Sequence, residues 1–124
     1  MKVLKTKAFA RIARSEDVTD GMLLEVVGRA VRGLIDADLG GGLIKQRVAR
    51  RGDGRSGGFR TLVAYRAGDR IVFVHMFAKR DRDNIRPDVA AFWRQRAGTM
   101  LGLEEAAIRR LVELGDMMEV PYDA

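Results

Sequence analysis

The sequence predicts an α+β fold: a small, mainly antiparallel β-sheet with helices packed on one face and further helices at the C-terminal end. Three observations carry the prediction. Apolar residues recur at helical spacing before Gly40 and again after Pro87. Between Leu43 and Ala78 they fall instead into three strand-like segments rich in Val, Ile and Phe. Two of those segments are separated by Ala67-Gly68-Asp69, a tight-turn signal that makes neighbours antiparallel. With 124 residues and no internal repeat, the chain reads as one domain, 1–124, large enough to bury a core, with 119–124 as a candidate flexible tail.

Val3 to Thr6 reads as a short first strand. Lys7 to Ser15 reads as a helix, with Ala8, Phe9 and Ile12 on one stripe. Thr19 is suited to cap a second helix, because its hydroxyl can accept a bond from an unpaired backbone N–H of the first turn. Met22, Leu23, Val26, Val27, Ala30, Val31 and Leu34 line one face of that helix, and Gly33 or the Asp36–Asp38 region ends it. These two helices are expected to pair. Gly40-Gly41-Gly42 breaks the chain. The strands follow at Leu43–Ala49, Phe59–Arg66 and Arg70–Ala78, an antiparallel meander. Pro87 fits the first turn of a helix, where its missing N–H costs nothing, and Val89, Ala90, Trp93, Ala97 and Met100 follow at helical spacing. Leu103 to Leu114 is a further helix closed by Gly115, and Met117 to Val120 a short edge strand.

Composition narrows the function classes. There is no cysteine, which removes disulfides, thiol catalysis and cysteine-ligated metals and fits a reducing cytoplasm. No apolar run approaches bilayer length and residues 1–14 hold no secretory leader, so a cytoplasmic chain without a membrane partner is expected. The net charge is +6 and uneven. Lys2, Lys5, Lys7, Arg11 and Arg14 precede any acid. Lys45, Arg47, Arg50, Arg51, Arg55 and Arg60 face Asp53 alone, whereas acids predominate after Leu101. A basic front with an acidic tail points to a polyanionic partner.

Alternation assigns the strand faces. Ile44 and Val48, Val63 and Tyr65, and Val72, Val74 and Met76 form the set expected to face the helices. Lys45 and Arg47, Arg60, and His75, Phe77 and Lys79 form the outward set. Cations for phosphates and a ring for a base are the mixture that RNA binding uses. An ordinary half-solvated sheet explains the polarity of this face but not its lack of acids. His75 reads equally as a surface residue and as a catalytic one, Phe77 as packing or stacking, and Trp93 as core. Gly40–Gly42 and Gly57-Gly58 read as turns, because no Walker pattern surrounds them.

The segments Gly54–Arg60 (GRSGGFR) and Phe77–Ile85 (FAKRDRDNI), in this order and with the meander between them, resemble the RelE/HigB-type toxins of bacterial toxin–antitoxin systems. The resemblance runs from about Lys2 to Met100. It implies a RelE-like fold and ribosome-dependent cleavage of messenger RNA in the ribosomal A site. It also implies a cognate antitoxin carrying a helix-turn-helix domain, with operator DNA reached only through that antitoxin. No cofactor and no metal are implied.

Such cleavage is attack of the ribose 2′-OH on the adjacent phosphate. It needs a base, an acid and cations around the phosphorane. With one histidine, His75, a two-histidine ribonuclease is excluded within one chain. The candidate catalytic residues are Lys45, Arg47, Arg60 and Lys79. Arg60 follows a Gly-Gly pair as in the family, and its fork can hold two phosphate oxygens. A lysine base starts at a pKa of about 10.4 and needs neighbouring cations to lower it. Arg50, Arg55, His75 and Phe77 are the candidate RNA contacts. Several relatives carry a tyrosine where Phe77 stands; lacking that hydroxyl, the chain offers Tyr122 as a substitute. The alternatives are a non-catalytic nucleic-acid or protein-binding module on the same fold, and a gyrase-targeting toxin of the ParE kind.

Overall fold

The computed structural model describes residues 1–48, 58–79 and 85–123. In chain order the elements are β1 (Lys2–Thr6), α1 (Lys7–Ser15), α2 (Asp20–Val31), β2 (Ala37–Gly40), β3 (Leu43–Val48), β4 (Phe59–Arg66), β5 (Arg70–Ala78), α3 (Pro87–Gly102), α4 (Glu105–Glu113) and β6 (Met117–Glu119). The strands form one open sheet in the order β2-β3-β4-β5-β1-β6. Only the β1–β5 pair is parallel among these neighbours. The α+β class, the meander and the β6 edge strand are as the sequence predicts.

Local chemistry sets the element ends. The Thr6 hydroxyl accepts from the Phe9 N–H at 3.1 Å and opens α1, and that of Thr19 accepts from Met22 N–H at 3.3 Å and opens α2. Pro87 sits in the first turn of α3. Gly115 follows α4 at φ +80°, a left-handed conformation that favours glycine. Gly42 is held at φ +87° between β2 and β3, and a Cβ there would run into the Leu101 side chain of α3.

The helices do not all lie on one face. α1 and α2 cover one side, where Phe9, Ala13, Leu23 and Val27 share a core with Ile44, Val63, Ile71 and Phe73. α3 and α4 cover the other, where Ala97, Leu101 and Ile108 pack with Leu43, Leu62, Ala64, Val72 and Val74. The reason lies in the central strands. Every residue of β4 from Phe59 to Ala64 is buried, and so is β5 from Arg70 to Val74. Strands buried on both faces require a layer on each side. The two N-terminal helices meet through this shared core, with α1 over β5 and α2 over β3.

Two further differences matter for the site. β2 occupies residues read as a helix-ending turn; four residues running straight into the left-handed Gly40–Gly42 turn leave no alternation long enough to see. In β5, strict alternation fails. His75 pairs with Leu62 but Phe73 pairs with Val63, so Val74 is an extra residue, a β-bulge. Val72 and Val74 therefore belong to the α3/α4 side, while Ile71 and Phe73 pack under α1 and α2.

Candidate functional site

The pairing of the meander builds the site. Directly opposed residues share a sheet face. Lys45 opposes Leu62, which opposes His75, and in the next row Arg47 opposes Arg60, which opposes Phe77. The five predicted residues on these strands thus lie on one face, the one that α3 packs against, with His75 beneath Trp93 of α3. Neighbouring strands are about 4.8 Å apart, so each row crosses its strands within roughly 10 Å. The bulge at Val74 makes this possible, since it brings His75 and Phe77 into phase with Arg60 after the apolar stretch beneath α3. Lys79 lies one residue past β5, its N–H donating to Gly58 O at 3.2 Å, at the same end of the sheet as Phe77. Arg50 and Arg55 lie outside the described residues.

The cations differ in environment. Arg60 is only 7% exposed. Arg47 is half exposed at the rim, and its Nε lies 3.6 Å from Asp36 Oδ2. That carboxylate also accepts from the Arg47 N–H at 2.7 Å and from Arg29 Nη1 at 3.3 Å. Burial pushes the Asp36 pKa up, but the Arg47 N–H and the charges of Arg47 and Arg29 outweigh it and hold the carboxyl below its ordinary value. Arg29 Nη2 also donates to the Arg47 carbonyl. The fully buried Gln46 fixes the same edge, accepting from Asp36 N–H at 2.7 Å and donating to Leu34 O at 3.1 Å. Sequence reasoning did not single out Arg29 and Gln46 and read Asp36 only as part of a helix-ending turn, because the partners lie far apart in sequence, in α2, in β3 and in the segment between α2 and β2.

The basic N-terminus contributes less than its sequence implies. Lys5 Nζ meets Asp20 of α2 at 2.7 Å, and Lys2 Nζ lies 3.5 Å from Glu105. Trp93 is not simply core. Its ring stacks on His75 at 4.7 Å and 12°, and His75 in turn lies 6.3 Å from Phe77. Tyr122 packs against the α1/α2 core, on the face opposite Phe77, so it is not placed to replace a phenol there. Among the described residues, no three of His, Asp and Glu gather as metal ligands, and no helix is long and apolar enough to cross a membrane.

A sequence-family model described as the RelE toxin of the RelE / RelB toxin-antitoxin system matches residues 1–120. Among curated proteins, none matches the chain.

Proposed function

The chain belongs to the RelE toxin family, so it is the toxin of a toxin–antitoxin system with a cognate antitoxin as partner, and we propose that it acts as a ribosome-dependent endoribonuclease in the cytoplasm, as a single domain. The observation that carries this reading is the pair of rows Lys45–Leu62–His75 and Arg47–Arg60–Phe77 across three adjacent strands. Together with Lys79 they give a polyanion several cations and two rings at one end of one face.

In the proposed reaction the 2′-oxygen attacks phosphorus and the P–O5′ bond breaks. The 2′-OH proton leaves to a base, a proton reaches O5′, and a 2′,3′-cyclic phosphate remains. Arg60, held by its surroundings, supplies a pre-oriented fork to the phosphorane oxygens; fixed donors in a site shielded from water need no reorganisation as charge develops. Lys45 and Lys79 flank it and are the proton-transfer candidates. Arg47 at the rim, with Arg50 and Arg55, contacts flanking phosphates. Phe77 offers a stacking surface for a base, with His75, whose ring stacks on Trp93, beside it as the second RNA contact. The antitoxin, for which a helix-turn-helix domain and operator binding are proposed, would cover this face.

The test is induction in growing cells with mapping of messenger RNA 5′ ends. New ends within translated codons are expected, falling about 10²- to 10³-fold with Arg60→Ala. Because Arg60 is buried, Arg60→Lys serves as the second variant: it keeps the charge without the fork, and should lose cleavage while circular dichroism remains native. Growth arrest with intact transcripts and damaged DNA would replace this reading with gyrase poisoning. No phenotype would leave a binding role.

A further inference from the structure

Beyond the sheet rows, the ring contacts continue onto α3. From Phe77 the path runs to His75 at 6.3 Å, to Trp93 at 4.7 Å and to Phe92 at 5.1 Å, edge to face. Arg96 then lies over the Phe92 ring at 4.8 Å. Phe92 is 48% exposed, unusual for a large apolar ring in the middle of a helix. It borders a pocket of about 370 Å³ between α3 and the start of α1, which Trp93 and Met100 also line. Among the described residues two cations, Lys7 and Arg96, and one acid, Asp116, line this pocket.

We propose that this pocket is a second RNA subsite, taking one nucleotide of single-stranded RNA at a position flanking the scissile phosphate, with its base on Phe92 and its phosphate toward Lys7 and Arg96. The inference rests on the nuclease reading for which phosphate is scissile, but not for the binding itself. The occupant follows from chemistry. The pocket is apolar with a net positive lining, and an aromatic ring carrying an anion satisfies both properties. An apolar protein side chain would fill the floor and leave the lining's excess of one positive charge uncompensated. Continuity with the His75–Trp93 stack gives an RNA strand an unbroken course from the sheet face to the pocket. Stacking on aromatic rings is sequence-tolerant, so the subsite adds affinity without choosing a base.

Trp93 is the sole tryptophan, which makes it the reporter. The probe is a 2′-O-methyl RNA oligonucleotide, which cannot be cleaved by 2′-OH attack. Titration into the full chain should quench Trp93 emission. Phe92→Ala should weaken binding roughly 5- to 140-fold, the range for losing one stacked base, while Phe92→Tyr retains it. A probe carrying one abasic site at the flanking position should bind the parent chain as weakly as the intact probe binds the Phe92→Ala variant. Circular dichroism checks that both variants fold. If Arg47→Ala weakens the probe but Phe92→Ala and the abasic site do nothing, the subsite is overturned and the nuclease reading stands. If transcripts stay intact in cells yet binding depends on Phe92, the nuclease reading fails and the subsite stands. A Phe92→Ala chain that binds RNA normally but loses affinity for purified antitoxin would make this a protein-docking pocket and overturn the inference, as would failure of the probe to bind at all.

Discussion

Asp36 does two things at once: it ties β2 to β3 through the Arg47 N–H, and it shares the charge of Arg47, a residue otherwise available to RNA. Its pKa is held below the unfolded value of about 3.9. A carboxyl depressed on folding stabilises above its unfolded pKa, and that stabilisation is lost as pH falls through the folded one. Asp36→Asn should therefore cost about 1 kcal/mol at neutral pH, a difference that shrinks below about pH 4. Denaturant melts at pH 7 and pH 3 read this directly; an equal loss at both would deny the carboxylate its role. The same variant releases the Arg47 guanidinium, so RNA affinity should rise as stability falls. At this scale the sequence was informative about the cations, because Lys45, Arg47 and Arg60 follow from alternation alone. It read Asp36 only as the end of a helix, since its partner lies 11 positions away, and it misplaced Tyr122, whose surroundings depend on where the last strand docks.

The elements show why alternation was a partial guide. β3 and β4 keep strict alternation through their pairing, and their faces were legible. β5 does not, and a bulge leaves no mark in a run such as Arg70–Ala78, where either phase is apolar. The position of α3 was likewise hidden. Its last turn contains no basic residue, so its C-terminal carbonyls take their partners from the β4–β5 hairpin. Arg70, 5% exposed, donates from Nη1 to Met100 O at 2.9 Å and to Leu103 O at 2.7 Å. Arg66 Nη2 donates to Leu101 O at 2.7 Å. Cations at a helix C-terminus complement its dipole as well as its unpaired carbonyls. Arg70→Met keeps much of the bulk and removes both bonds. It should cost about 2–3 kcal/mol and expose α3 preferentially. Hydrogen exchange checks this: amides of the last two turns of α3 should lose protection while those of α2 keep theirs. Uniform loss across both helices would mean that Arg70 supports the whole sheet rather than the docking of α3.

For the molecule as a whole, the fold class was readable because helical and strand periods change at clear breaks, Gly40–Gly42 and Pro87. The two-sided layering was not, since burial of both faces of β4 depends on chain that arrives after Pro87. Net charge was similarly coarse. Its total favours a polyanion, yet Lys5 is spent on Asp20 on the α1/α2 side, whereas Arg47 stands on the proposed RNA face. Counterion release separates these cases, because only cations that replace condensed ions on the phosphates enter the slope of log K against log salt, at about 0.7 per phosphate on a single strand. Arg47→Ala should reduce the slope for a single-stranded RNA probe by about 0.7. Lys5→Met removes the same formal charge from the other face and should leave the slope unchanged, with any effect on affinity confined to low ionic strength where the Debye length exceeds the thickness of the domain. Equal slopes for the two variants would mean that RNA senses only the overall charge of the chain, and the sheet face would lose its claim to be where the polyanion binds.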